Sequence, residues 1–120
     1  MLEQMKDLIT RLRNFAEERD WDQFHNPKNL TMALGGEVGE LMEIFQWKST
    51  DNSLKEMLSE KDLEYCKEEM ADVFLYLLRL SDKLDIDLVE VAKAKLDKNH
   101  EKYPVSLSKG NSTKYSRRNE

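Results

Sequence analysis

Apolar residues recur every three or four positions in four separate segments of the chain, which is the pattern of amphipathic helices. These segments predict helices over residues 3–19, 28–47, 60–84 and 88–101. Asn26 followed by Pro27 is a typical helix start, because asparagine caps free backbone amides and proline suits the first turn. With only four glycines and two prolines in 120 residues, long helices are favoured over a turn-rich β architecture. The chain is therefore predicted to be all-α.

The third predicted helix is apolar on nearly every face. Its main stripe consists of Leu63, Met70, Val73, Phe74, Leu77, Leu78 and Leu84. Leu75, Tyr76 and Leu80 add apolar surface on the other faces. A helix that is apolar all round is usually buried all round, and a chain of this length has few helices with which to cover it. We therefore infer that this helix also lies in a subunit interface.

Two pairs of acidic residues stand out within apolar segments. Glu37 and Glu40 are three residues apart on the second helix, and Glu69 and Asp72 repeat that spacing on the third. Side chains three apart share a helix face, where like charges repel unless a cation holds them. Because 24 of the 120 residues are acidic, solvent-facing carboxylates are the alternative interpretation. The doubled spacing favours a site for a hard divalent cation such as Mg²⁺, which prefers oxygen ligands and takes substrate phosphates.

The second helix also contains Gly35, Gly36 and Gly39. An interior glycine costs about 1 kcal/mol relative to alanine, so three of them in five residues need a reason. Close approach of another helix or of a ligand would supply one.

Composition narrows the class of protein. The single cysteine, Cys66, excludes an intrachain disulfide and fits a reducing interior, so a cytoplasmic location is expected. No signal-peptide core or membrane-length apolar run is present in the sequence, so no membrane partner is expected. The longest apolar run, residues 73–78, is six residues. Cys66 has no obvious histidine partner, which favours a packed thiol over a nucleophile.

Charge is unevenly distributed along the chain. Residues 102–120 hold five basic residues and one acidic residue, which gives this segment a net charge of +4. Since the whole chain has a net charge of −5, residues 1–101 have a net charge of −9. An acidic body argues against nucleic acid as a partner. We predict one helical domain over residues 1–104 and a basic C-terminal tail over residues 105–120 that forms an extended arm or is disordered.

The segment between the first two helices, residues 20–26, breaks the helical period and contains Trp21, Phe24 and His25. Large aromatic residues in a loop favour a functional interpretation. The alternative is that Trp21 and Phe24 close the end of the helical bundle.

Together these motifs resemble a known family. Glu37-x-x-Glu40 followed by Glu69-x-x-Asp72 is similar to the metal motif of the MazG-like superfamily of all-α nucleoside triphosphate pyrophosphohydrolases. The resemblance is nearest to the dCTP pyrophosphatase branch and covers most of the chain. It is also carried by residues 18–21, 23–25, 27–30, 36–47, 68–73, 76–77, 99, 102–105 and 108–115. The chain differs from some members of the family at Leu12, where those relatives carry a histidine. This difference concerns the preference for a particular base or sugar, not the type of reaction.

The resemblance implies a four-helix MazG-like bundle completed by dimerisation, as a homodimer or homotetramer. It also implies cleavage of a nucleoside triphosphate between its α and β phosphates, in a house-cleaning role that removes unwanted nucleotides. Glu37, Glu40, Glu69 and Asp72 match the residues that bind Mg²⁺, for which Mn²⁺ is a possible substitute. Glu37 and Glu40 are assigned as catalytic, and the sequence does not choose which acid takes the proton of the attacking water.

The branch binds its base in an aromatic pocket. The residues that the resemblance assigns to substrate binding are Trp21, His25, Trp47, Tyr76, Lys95 and Asn99. Flat rings suit stacking on a pyrimidine, and an amide can both donate and accept hydrogen bonds.

Two alternatives remain open. The first is a non-catalytic helical dimerisation or interaction module whose acids are surface charges, with no dependence on Mg²⁺. The second is a MazG-like enzyme of different scope, acting on other or modified deoxynucleoside triphosphates.

Overall fold

A computed structural model describes residues 2–118 and shows only helices and connecting segments, with no strand in this range. The α-helices are α1 (Glu3–Glu18), α2 (Pro27–Phe45), α3 (Glu60–Lys83), α4 (Leu88–Lys102) and α5 (Val105–Ser108). Short 3₁₀ turns cover Asp22–Phe24, Asp51–Ser53, Lys55–Met57 and Tyr115–Arg117. The all-α class and the four long helices are therefore confirmed. Trp47 lies beyond the end of α2 rather than in its last turn.

Local hydrogen bonds explain where the long helices begin. The Asn26 side chain accepts a hydrogen bond from the Asn29 amide at 2.9 Å, and the Ser59 hydroxyl accepts one from the Asp62 amide at 3.0 Å. Asp87 accepts from two amides in the first turn of α4, at 3.1 and 3.3 Å. Each cap satisfies backbone donors that the helix itself leaves free.

The chain divides into two compact units, of which the first comprises residues 2–86. In it α2 packs along α3, and α1 packs against α3. The buried apolar side chains of the unit are Ile9, Ala16, Leu30, Cys66 and Leu78. The burial of Cys66 confirms the prediction of a packed thiol.

The second unit begins at residue 87 and contains α4, α5 and the tail. Tyr103 and Tyr115 meet edge to face with ring centroids 5.9 Å apart, and the Lys102 Nζ lies 4.9 Å from the Tyr115 ring centre. Arg118 donates a hydrogen bond to the Lys102 carbonyl. The tail therefore contains two short helical segments and an aromatic contact that the sequence analysis did not predict. The predicted domain boundary at residues 104 and 105 stays a prediction.

Several large apolar side chains on α2 and α3 are exposed. Met32, Met42 and Met70 expose 60–63% of their surface, and Leu77 exposes 37%. The chain thus leaves apolar surface on both helices uncovered, whereas the sequence analysis expected a subunit interface for the third helix only. Dimerisation itself stays a prediction. None of the helices within residues 2–118 is long and apolar enough to cross a membrane.

Candidate functional site

The packing of α2 along α3 brings three predicted metal-binding acids together. Glu37, Glu40 and Glu69 each place one carboxylate oxygen within 4.8 Å of the oxygens of the other two. Glu40 is exposed, while Glu37 and Glu69 are half-buried. Two oxygens on opposite sides of one Mg²⁺ lie about 4 Å apart, so the cluster is of a size that a single cation can bridge.

Two oxygens of this cluster lack partners. Glu37 Oε2 and Glu69 Oε2 are shielded from solvent and accept no hydrogen bond from any residue in the described range 2–118. A buried carboxylate oxygen without a donor is costly, because its hydration is lost and nothing replaces it. A bound cation would satisfy both oxygens, so the residues present fit a divalent metal ion.

The crowding of negative charge changes the protonation of the cluster. The pKa of Glu69 is raised to about 7, foremost by the close approach of the Glu40 carboxylate and then by burial and the neighbouring Glu37. The pKa of Glu37 is also raised, foremost by burial. The neighbouring Glu40 and Asp72 add to this rise, and the contact with Glu69 opposes it. The cluster thus favours uptake of positive charge, either protons or a cation.

Asp72, the fourth predicted ligand, lies one turn after Glu69 on α3. The structure does not place it in the cluster of three oxygens, and instead it lines a neighbouring cavity. Its charge still acts on Glu37. Its role as a metal ligand stays a prediction.

This cavity, which we call the aromatic cavity, has a volume of about 470 Å³ and lies between α1, α3 and the turn that follows α1. Its lining residues are Leu8, Arg11, Leu12, Phe15, Trp21, His25, Asp72, Leu75, Tyr76 and Arg79. Pockets of about 300–1,000 Å³ with mostly apolar walls and a few polar groups are typical of small-molecule sites. Trp21, His25 and Tyr76 were predicted to bind substrate, and the structure brings all three to this one cavity.

The Trp21 ring is held from two sides but remains half-exposed. Its centroid lies 5.8 Å from that of Phe15, at an interplanar angle of 67°, and 6.5 Å from that of His25. It exposes 46% of its surface. A ring that is fixed by its neighbours and still accessible can stack on a flat ligand with little loss of side-chain entropy.

The other predicted substrate-binding residues lie elsewhere. Trp47 follows the end of α2, exposes 89% of its surface, and is not among the residues that line the aromatic cavity. Lys95 and Asn99 lie on α4, in the second unit of the chain. The charge of Lys102 lowers the pKa of Lys95, which shows that α4 carries a small basic cluster. For these three residues, substrate binding stays a prediction.

A second depression shares Glu40 and Glu69 with the acidic cluster. Its lining residues are Glu40, Glu43, Ile44, Lys48, Asp62, Tyr65 and Glu69. Lys48 and Asp62 form an ion pair of 2.9 Å in its wall.

Sequence analysis missed Arg79, which lines the aromatic cavity and exposes only 5% of its surface. Its guanidinium donates hydrogen bonds to His25, Asp22 and Asp82. A signal was present in the sequence, because Arg79 is the only charged residue in the apolar run 73–80. A charged residue in such a run is either exposed or paired in the interior. Two of the three partners of Arg79, His25 and Asp22, lie more than 50 positions away in the chain.

Comparisons with known proteins identify the family of this chain. Residues 33–117 match the MazG-like family. The chain is 43% identical over 111 residues to dCTP pyrophosphatase 1 of Mus musculus and 40% identical over 111 residues to that of Homo sapiens. Each alignment covers 92% of this chain and 65% of the relative, so the chain spans about two thirds of their length.

A solved structure points the same way. A pyrophosphatase from Archaeoglobus fulgidus superposes with a TM-score of 0.79 at 41% identity, covering 87% of this chain and 95% of that one. The resemblance found in the sequence is confirmed, and this chain belongs to the MazG-like family.

Proposed function

We propose that this chain is an Mg²⁺-dependent nucleotide pyrophosphohydrolase that cleaves dCTP to dCMP and pyrophosphate. The observation that carries the proposal is the convergence of three carboxylates, two with buried unpaired oxygens, where α2 packs on α3, together with the fact that α3 also lines the aromatic cavity. A cation site beside an aromatic cavity suits a ligand with a phosphate chain at one end and a flat base at the other. The names of the relatives from mouse and human support dCTP as the substrate.

The acidic residues would have two roles, which are to bind the cation and to accept a proton. A divalent cation held by Glu37, Glu40 and Glu69 would neutralise phosphate oxygens and increase the acidity of a water molecule. Water attacks the α-phosphorus, the bond from that phosphorus to the bridging oxygen breaks, and pyrophosphate leaves. The proton of the water passes to a carboxylate. We favour Glu37 for this role, with Glu40 as the second candidate, since both belong to the cluster.

Base binding would use the aromatic cavity. Trp21 would stack on the pyrimidine, with Tyr76 and His25 beside it. Lys95 and Asn99 are proposed as substrate-binding residues from the family resemblance alone. Trp47 does not line the cavity of its own chain, so we propose that it serves the site of a neighbouring copy. This arrangement requires a homodimer or homotetramer, and the exposed methionines of α2 and α3 provide an apolar surface for it.

A product assay tests the proposed reaction. Purified protein is incubated with dCTP and Mg²⁺, and the products are separated by ion-exchange chromatography. We expect dCMP and pyrophosphate, and no release in excess EDTA. Formation of dCDP and phosphate instead would contradict cleavage between the α and β phosphates, and no turnover would favour an interaction module.

Neighbouring residues offer a matched pair of variants. Glu69→Gln removes one negative charge from the cluster, whereas Glu68→Gln removes one from an exposed side chain at the adjacent position. We expect Glu69→Gln to lose almost all pyrophosphate release and Glu68→Gln to retain it. Equal activity in the two variants would show that the cluster does not act in catalysis.

Two further measurements address scope and assembly. Turnover rates on the four deoxynucleoside triphosphates, CTP and base-modified dCTP distinguish an enzyme that prefers dCTP from one that acts on other or modified nucleotides. Light scattering at micromolar concentration separates an oligomer, the expected result, from a folded monomer.

A further inference from the structure

Arg79 and His25 are joined by a hydrogen bond whose direction is fixed by chemistry. The Arg79 Nε–H lies 3.2 Å from His25 Nδ1, and both residues line the aromatic cavity. A guanidinium stays protonated in proteins and carries only donors. His25 Nδ1 must therefore be the acceptor, with a free lone pair and no proton.

Arg79 is held in place by acidic partners on two sides. Its Nη2 donates to Asp22 at 2.7 Å, and its Nη1 donates to Asp82 at 3.4 Å. Asp82 also accepts from Arg13 Nε at 2.8 Å, and Asp22 accepts from Lys83 at 2.6 Å. The guanidinium is thus anchored to the turn after α1 and to its own helix, and it is nearly inaccessible to solvent. It is linked to α1 only through Asp82, which also pairs with Arg13. A group fixed in this way can impose an orientation on the imidazole it contacts.

The tautomer of His25 follows from this bond. In a neutral imidazole only one nitrogen carries a proton, so a lone pair on Nδ1 places the proton on Nε2. The surroundings keep the ring neutral, because burial lowers the pKa of His25, as do the charges of Arg79 and Lys83, while Asp22 acts in the opposite direction. The other charged residues that line the cavity are Arg11 and Asp72. Because Nδ1 is engaged by Arg79, Nε2–H is the donor left for a ligand.

We propose that Arg79 is a positioning residue, which holds His25 in the Nε2–H form so that it donates a hydrogen bond to a carbonyl or ring-nitrogen acceptor of the bound base. This inference rests on the proposed function, because it assumes that the nucleotide base enters the aromatic cavity. Arg79 itself would act through His25. The competing role for Arg79 is purely structural. In that role Arg79 would hold the turn after α1 in place through Asp22, and it would not influence the tautomer of His25.

Kinetics of single and double variants separate the two roles. Arg79→Lys keeps the charge but loses the planar fork, and we expect it to raise KM for dCTP by about two- to tenfold with kcat unchanged. Asp22→Asn, the matched control, removes the negative charge that pins the turn but keeps an oxygen that can accept from Arg79, so Arg79 stays bonded to His25 and KM should stay near the wild-type value. His25→Gln places an amide donor near the position of Nε2, whereas His25→Asn does not, so His25→Asn should have the higher KM. In the His25→Gln background, Arg79→Lys should have little further effect.

A spectroscopic measurement tests the tautomer directly and does not depend on turnover. Long-range ¹H–¹⁵N correlation of protein labelled with ¹⁵N-histidine reports which ring nitrogen of His25 carries the proton, with His100→Gln to assign the two histidines. We expect an unprotonated Nδ1 in the wild type and a mixture of tautomers in Arg79→Lys.

Several outcomes would overturn the proposal. These are a proton on His25 Nδ1 in the wild type, additive KM effects of Arg79→Lys and His25→Gln, or a higher KM for His25→Gln than for His25→Asn. If Arg79→Lys does not fold, the wild-type spectrum still tests the tautomer of His25, and the KM values of the two His25 variants still test donation from Nε2. If the wild type releases no pyrophosphate from dCTP, the proposed function fails separately, and the spectrum alone decides whether Arg79 sets the tautomer.

Discussion

The ion-pair network at the end of the aromatic cavity gives a prediction whose size can be worked out from the structure. We expect Asp82→Asn to lower the free energy of unfolding by about 2 kcal/mol. The Asp82 side chain is 12% exposed and accepts hydrogen bonds from two Arg13 nitrogens, at 2.8 and 2.5 Å, and from Arg79 at 3.4 Å. The substitution keeps the shape of the side chain and one oxygen acceptor, so it tests mainly the negative charge.

The two arginines contribute differently to this value. Arg13 is 60% exposed, so water screens its pair with Asp82, and we assign about 1 kcal/mol to losing it. Arg79 is 5% exposed, so losing a carboxylate partner leaves a buried charge less well compensated, even though its bond to Asp22 remains. Because the Arg79–Asp82 hydrogen bond is long, we assign only about 1 kcal/mol more of the lost unfolding free energy to it.

The loss should depend on pH in a defined direction. The pKa of Asp82 is lowered from 3.8, foremost by its hydrogen bonds with Arg13. A lowered pKa means that the folded state favours the ionised carboxylate. The stabilisation is therefore present above pH 3.8 and is lost as the pH falls through the lower value of the folded protein. The difference between wild type and Asp82→Asn should shrink at strongly acidic pH.

Urea unfolding at fixed protein concentration, followed by circular dichroism, measures this difference. Asp85→Asn is the control, because Asp85 is exposed and its positive φ of 54° is a conformation that asparagine tolerates. The control should stay within about 0.5 kcal/mol of the wild type. A loss in Asp82→Asn no larger than that of Asp85→Asn at pH 7 would refute the reasoning about this network.

Three further predictions concern the acids, the core and the two tryptophans. Without metal, the pKa of Glu69 of about 7 in place of 4.5 means that the folded state holds its proton more tightly, so this contribution to stability is lost as the pH rises towards 7. Urea titrations should show this loss in the wild type and not in Glu69→Gln, and parallel pH profiles would count against it. Leu78→Ala should lower the free energy of unfolding by about 2–5 kcal/mol, because Leu78 is 1% exposed and its removal leaves a cavity; a loss below 1 kcal/mol would mean that the site collapses or is not core. Trp21→Ala and Trp47→Ala should each raise KM for dCTP about tenfold, since base stacking is worth about 1–3 kcal/mol. Mixed oligomers of the two variants should regain some wild-type sites, and activity no higher than the average of the two would place the pocket within one subunit.

Helix positions could be predicted from the sequence because the signals that set them are local. Asn26, Ser59 and Asp87 cap amides two or three positions away, so the starts of α2, α3 and α4 can be read along the chain. The spacing of Glu37 and Glu40 on one face likewise follows from helical periodicity. The family could be recognised for the same reason, since its motifs are short runs of residues at fixed spacing.

The glycines of α2 show where a sequence argument needs the fold. Their number suggested close approach of a helix or a ligand, yet a Cβ added at Gly35, Gly36 or Gly39 would meet nothing within 4 Å in this chain. The packing of α3 therefore does not account for them. The explanations that remain are a ligand, which the sequence analysis offered, and a helix of another copy, and both lie outside a single chain.

Tertiary structure alone decided how the candidate site is assembled. The sequence treated Glu69 and Asp72 as an equivalent pair, whereas in the fold Glu69 joins the cluster of three acids and Asp72 lines the aromatic cavity, where its charge still acts on Glu37. The role of Arg79 depends on Asp22 and His25, which are 57 and 54 positions away in the chain. Such partners are chosen by how helices pack, which depends on the fit of many side chains at once. No local pattern predicts that fit, so the burial of Arg79 and its contact with His25 could be seen only in the folded chain.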